Sequence, residues 1–265
     1  MKSLGSYSFL TIIALVQIIP LLIMFYVSVV PSEISGSENL FIFSLQNYID
    51  LLGSDRFDIY FLNSFIVGIA VTAGNLLFCL STGYALARGK NKLISLIFLS
   101  VLGVLMIPAH VVMIPLYQEM VAFGWLNSYW ALIVPWLVSP FGIFLVKQYI
   151  ESLPPDIEDA ARIDGAGEFR ILFTIVAPLS KPILTVLAIY IFLANWNSFL
   201  FPFIFTSDES VRTLPVGLAF YLGKQSIDWG HLMAGASLSA IPIIIIFLIF
   251  QNKIIDGLAH GALKD

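Results

Sequence analysis

The sequence predicts an all-α polytopic membrane protein: six transmembrane helices and one long inner loop that carries short helices of its own. Three observations carry that reading. Of the 265 residues, 59% are hydrophobic and 11% are charged, whereas an ordinary soluble chain is about a quarter charged. A folded core cannot hide so much apolar surface, so lipid must be the solvent for part of it. Apolar stretches of about 20 residues, the length a helix needs to cross a bilayer core, recur six times along the chain. Finally, the cations crowd into alternate connecting segments.

The six stretches lie at about 9–30, 59–86, 93–118, 127–148, 182–205 and 231–251. They are continuously apolar rather than alternating, as helices require and barrel strands do not. The first is too long for the apolar region of a secretory signal and no small-residue cleavage site follows it, so it is read as a retained span. Prolines 20, 108, 115, 135, 140, 202 and 242 lie within or beside the runs. Spanning helices tolerate them where neighbouring groups satisfy the freed carbonyls.

With the N-terminus inside, the inner segments hold Lys2, Arg88, Lys90, Lys92, Lys147, Arg162, Arg170, Lys181, Lys253 and Lys264, and the outer segments hold Arg56, Arg212 and Lys224. Ten cations against three is a strong positive-inside bias. The acids divide nine outside and eight inside, as befits residues of little topological weight. This orientation puts both termini in the cytoplasm. Two outer loops, about 31–58 and 206–230, carry Trp, Tyr and acidic residues and read either as solvated caps or as contacts for an external partner.

The inner loop, about 149–181, holds ten of the thirty charged residues when Lys147 at its edge is included. Pro155 suits a helix start. Asp156, Glu158 and Asp159 follow in the first turns, where the helix dipole favours anions. Gly165 is a natural stop. A second short helix is expected over Glu168 to Val176, ending before Pro178. Ile157, Ala160 and Ala161 fall on one face of the first helix with Asp164 at its end. That face suits either a groove on a partner or the membrane surface.

The residues of this loop resemble a known pattern. Asp159-Ala160-Ala161, three residues, Gly165, nine residues, Ile175, two residues and Pro178 are similar to the EAA loop of binding-protein-dependent ABC importer permeases. Asp159 stands where that pattern has Glu and Ala177 where it has Leu; the charge and the apolar character are kept. Four further stretches resemble the carbohydrate-importer permeases, the family of the maltose system's smaller permease. They are Ala161–Ala166, Met106-Ile107-Pro108 with Ile114–Tyr117, Asn195-Trp196-Asn197-Ser198-Phe199, and the tail Gly257–Lys264. The resemblance runs from about Tyr60 to Lys264.

The resemblance implies one transmembrane permease domain over 1–265 in the cytoplasmic membrane, with the type I importer fold. It implies a second, similar permease, two cytoplasmic ATPase subunits that use ATP and Mg, and an external solute-binding protein. The short helix would be a coupling helix, touching an ATPase subunit through Asp159, Ala160, Ala161 and Gly165, with Glu158 and Asp164 beside them. Transport of a sugar would proceed by alternating access. The chain carries no ATP site of its own: Gly83 to Gly89-Lys90 has five residues between the glycines where a phosphate loop has four. No cofactor, catalytic set or metal cluster is expected, and the single Cys79 reads as a packed small residue.

Sugar recognition calls for neutral hydrogen-bonding groups and flat apolar faces. Asn195, Trp196, Asn197 and Ser198 in the fifth span offer both. Asn63, Asn75 and His110 are further candidates, with interhelical hydrogen bonding as the plainer reading of these three and of Asn195 and Asn197 as well. On a continuous helix residues 195 and 197 point about 200° apart, so one would line a path and the other pack, with Asn197 favoured for the path. Secondary transport is disfavoured because the spans carry charges only at their ends. An intramembrane enzyme is disfavoured because neither a nucleophile–base set nor an H-E-x-x-H pattern is present. The loop motif speaks against a receptor or scaffold.

Overall fold

The computed structural model describes residues 4–31, 43–54, 56–222 and 227–262. The side chains of 252–262 lie outside that description, and with them the tail motif at Gly257–Lys264; so do Lys2 and Lys224. Every regular element among the described residues is helical.

Helix α1 (Leu4–Ser28) is apolar on all sides, with none of its membrane-length window buried. It packs chiefly along the last helix. A short outer helix, α2 (Gln46–Ser54), closes its end: buried Asn47 donates to the carbonyls of Ser28 and Val30 at 2.9 and 2.8 Å. These are carbonyls that a helix end leaves without intrahelical partners.

Helix α3 (Phe57–Arg88) is the 32-residue axis of the bundle. After it come α4 (Lys92–Leu105), which packs chiefly on α7, and α5 (Met113–Ala122), which packs on α12, while α6 (Tyr129–Ile133) and α7 (Pro140–Glu151) run beside α3. Through the turns at Pro135 and Pro140, α6 and α7 make one span, Tyr129–Glu151. Gly83 sits so close to α7 that an added Cβ would lie 3.1 Å from the backbone nitrogen of Lys147, and Gly142 faces the Cys79 sulfur. Small residues there allow the two helices to touch along their length.

Beyond α7 come α8 (Asp156–Ile163), α9 (Glu168–Ile171) and α10 (Ala177–Leu179). They are followed by α11 (Lys181–Trp196), α12 (Leu200–Phe205), α13 (Leu214–Ala219) and α14 (Trp229–Ala262). One apolar core lies between α3, α7 and α11 around Val71, Leu80, Val146 and Leu187. A second, nearer the outer loops, stacks Phe61, Phe65, Phe192 and Trp196 with centroids 5.4–5.9 Å apart.

Four of the six expected spans are single membrane-length units; the third and fifth differ from the expected runs. The third bends by 93° between Leu105 and Ala109. Pro108 is extended there (φ −60°, ψ 131°), and a residue before proline is pushed out of the helical region. In the fifth, α11 stops at Trp196 and α12 begins at Leu200. Pro202 lacks an N–H and crowds the carbonyl four residues back, at Ser198, where the chain breaks. The expected helix over Glu168–Val176 also differs: α9 passes into a π turn, Leu172–Val176, and continues through Pro178 into α10. The wider turn accommodates the proline ring against the Thr174 carbonyl. The run from Glu168 to Leu179 meets α11 at 80°.

Candidate coupling site

The loop between α7 and α11 lies at the basic end of the bundle and is held there by one charged network. Arg88, the last residue of α3, grips Glu158 of α8 with Nε at 2.9 and 3.1 Å from the two carboxylate oxygens and Nη2 at 2.7 Å. The same guanidinium donates to the Leu153 carbonyl at 3.2 Å. Glu158 is 2% exposed, so the carboxylate is bidentately held away from water, the strong form of this pairing.

One turn along α8, Arg162 donates to Asp159 at 2.7 Å, to Glu168 at 2.8 and 3.2 Å, and to the Tyr84 hydroxyl at 3.1 Å. Tyr84 donates to Glu168 at 2.7 Å. The hydrogen bond with Arg162 and then that with Tyr84 hold the Glu168 carboxyl below its ordinary value, against a smaller desolvation effect. Arg162 is pushed above its usual value, first by its bond to Glu168. Thus α3, α8 and α9 are tied together by charges on each.

The end of α8 explains the glycine of the motif. Gly165 has φ +84°, its N–H donates to the Arg162 carbonyl at 3.0 Å, and the Ala166 N–H donates to the Ala161 carbonyl at 2.9 Å. These are the two bonds of a Schellman cap, whose first residue past the helix must be left-handed. Nothing lies within 4 Å of a Cβ at Gly165, so the requirement is conformational.

Of the loop residues singled out from the sequence, Asp159, Ala160, Asp164 and Gly165 lie together at the surface. Ala161 is turned inward and packs on the core, and Glu158 is buried under Arg88. The outward face also carries two large apolar side chains that the motif reading passed over, Ile163 at 87% and Phe169 at 82% exposure. Their signal was available, since each is a bulky apolar residue within the most charged loop.

In the fifth span, Trp196 is buried in the aromatic stack and donates to the Ser239 carbonyl at 3.1 Å. Asn195 and Ser198 are half-buried; Asn197 is exposed at the break, its amide donating to the Leu193 carbonyl at 2.8 Å. Asn63 donates to the carbonyls of Ser210 and Arg212 and accepts from Tyr129. Asn75 donates to the Trp136 carbonyl at 2.6 Å, beside the proline-interrupted turn. Both are therefore interhelical and loop ties. His110 is exposed beside the bend in the third span.

A bundle of apolar helices with two broken spans and an anchored loop helix at the basic end defines a multi-pass membrane protein. The chain belongs to the family described as the binding-protein-dependent transport system inner membrane component, whose model matches residues 79–259. It is a permease subunit of an importer of the ABC class. Its relatives include the arabinooligosaccharides transport system permease protein AraQ of Bacillus subtilis, 38% identical over 84% of this chain and 80% of that one. Another is the trehalose/maltose transport system permease protein MalG of Thermococcus litoralis, 37% identical over 83% and 81%. A chain from the crystal structure of a bacterial ABC transporter involved in the import of the acidic polysaccharide alginate superposes with a TM-score of 0.83. At 21% identity over 94% of each chain, that likeness speaks for the fold.

Proposed function

We propose that this chain carries a sugar or oligosaccharide across the cytoplasmic membrane, with α8 docked in a groove of a partner ATPase subunit. The observation that carries this is the construction of α8. Its inner side is fixed to α3 by the Arg88–Glu158 pair, its exposed residues include Asp159, Ala160 and Ile163, and the neighbouring α9 adds exposed Phe169. A helix so fixed passes any displacement on its outer face directly to a spanning helix.

In this reading the loop and both termini face the cytoplasm, as the ten-to-three division of cations supports. ATP and Mg are handled by two ATPase subunits, a second permease completes the membrane part, and an external binding protein delivers the substrate. Closure of the ATPase pair moves α8, α3 follows, and the spans alternate between outward and inward openings. The breaks at Met106–Pro108 and Asn197–Phe199 belong to the path. Non-helical backbone at membrane depth is tolerated only where protein covers it or water reaches it. Asn195, Asn197 and Ser198 supply neutral donors and acceptors of the kind that read hydroxyls, with Trp196 as the buried wall behind them. The carbohydrate class is supported by the names of the relatives, which include permeases for arabinooligosaccharides, trehalose/maltose and diacetylchitobiose.

The test is to co-express the chain with its genomic neighbours and measure binding-protein-dependent uptake of labelled oligosaccharides, with Ala160→Cys as a cross-linking site. Cross-linking to the ATPase subunit and ATP-dependent uptake are expected. A cross-link only to lipid, or uptake that needs no ATPase, would overturn the reading. Cys79 is buried and adds little background.

A further inference from the structure

Between α3, α11 and α14 lies a cleft of about 420 Å³, clear of the break at Asn197 and closed at its loop end by Ala177 and Pro178 of α10. Its walls are Leu76 of α3, Leu184, Ile189 and Phe192 of α11, and Ile246 of α14. Two threonines also face it. Their hydroxyls are already engaged, Thr72 donating to the Gly68 carbonyl at 2.7 Å and Thr185 to the Lys181 carbonyl at 2.8 Å. The walls therefore give a sugar few hydrogen-bonding partners and suit a hydrocarbon chain.

One end of the cleft is charged. Lys181, the first residue of α11, lines it, is exposed, and makes no ion pair among the described residues. From Lys181 to Phe192 the cleft follows eleven residues of helix, about 16 Å, which is roughly half the 30 Å hydrocarbon core and so the depth of one leaflet. An apolar slot one leaflet deep with a cation at its mouth matches a molecule with one long apolar tail beneath an anionic head.

We infer that this cleft binds an anionic phospholipid of the leaflet at the basic end, its phosphate at Lys181 and an acyl chain along Leu184, Ile189 and Ile246. The site ties the N-terminus of α11 to the membrane surface beside the 80° corner with the coupling loop.

The experiment reads bound lipid, so it stands or falls separately from the transport reading. The assembled importer is placed in nanodiscs of equal phosphatidylglycerol and phosphatidylcholine, released, and its retained lipids are counted by native mass spectrometry. Wild type and Lys181→Arg are expected to retain phosphatidylglycerol preferentially. Lys181→Gln should cut that preference about fivefold, the scale of one lysine near an anionic surface. Ala188→Trp, which fills the cleft, should lower retention of both lipids. Undiminished preference in Lys181→Gln would overturn the headgroup assignment. Loss of the second permease from the Ala188→Trp complex, with lipid retention unchanged, would make the cleft a subunit interface and overturn the proposal.

Discussion

Arg88 and Glu158 lie 70 residues apart in sequence, and three hydrogen bonds of 2.7–3.1 Å join them. Removing either partner leaves the other charge in a poorly solvated place. Because Arg88 keeps 19% of its side chain exposed, Glu158→Ala should cost on the order of 2–3 kcal/mol, somewhat under a fully buried pair. Arg88→Ala with Glu158→Ala should cost less than the two single changes added together. Thermal unfolding of the complex in detergent checks this; simple additivity would mean that the pair is energetically idle.

Gly165 is the next test. A side chain at φ +84° is strained by about 1–2 kcal/mol, so Gly165→Ala should loosen the end of α8 without preventing membrane insertion. Gly165→Pro should do more, since proline holds φ near −65° and deletes the N–H that bonds Arg162. Uptake should fall in the order wild type, Ala, Pro. Full uptake by the Pro variant with an intact complex would remove α8 from the mechanism.

Ile163 and Phe169 separate docking from folding. Both are largely exposed, so Ile163→Asp and Phe169→Asp should change stability by no more than about 0.5 kcal/mol. If they meet the ATPase subunit, its association should weaken at least about tenfold, or 1.4 kcal/mol. Pull-down of the ATPase subunit decides the matter, and unchanged recovery would place the docking face elsewhere.

Asn195 and Asn197 call for uptake and melting measurements side by side. An unpaired buried sugar hydroxyl costs about 1–3 kcal/mol, so Asn197→Ala should lower uptake with little change in melting. Asn195, half-buried, should show the larger loss of stability. Lower melting temperature without a substrate-dependent uptake defect in both variants would exclude these residues from the path.

The loop should also respond to acid. Glu168 titrates below its ordinary value of 4.5, so its ionised form is favoured in the folded chain. Its contribution is therefore complete above that pH and is lost as the pH falls through the lower folded value. Hydrogen exchange at α8 and α9 should be steady from neutral pH down to about 5 and rise below 4.5, after correction for intrinsic rates; Glu168→Gln should abolish the step. A step near pH 6–7 would point to a different group.

Length and hydropathy made the spans legible, because a bilayer demands about 20 apolar residues whatever they pack against. The cap at Gly165 was equally legible, since a helix end with a left-handed residue has a local signature. The inward turn of Glu158 was not. Its orientation depends on Arg88, and no local rule joins residues so far apart in the chain. The breaks at Pro108 and Asn197 escaped for a related reason. Prolines marked the places, but whether a span kinks or parts depends on what its neighbours offer the freed carbonyls. Trp196 read as a sugar platform from its neighbours in sequence, yet Phe61, Phe65 and Phe192 enclose it.

The π turn at Leu172–Val176 gives the route from loop to membrane a mechanical character. Each such turn holds one residue more than an α turn, so the strand of chain between α9 and α11 carries slack. Rewound into the α pattern, one residue adds about 1.5 Å along the axis. The connection to α3 runs instead through the paired side chains of Arg88 and Glu158. In the proposed docking, a displacement of α8 would have two routes into the membrane, through the Arg88–Glu158 pair to α3 and through the π turn to α11.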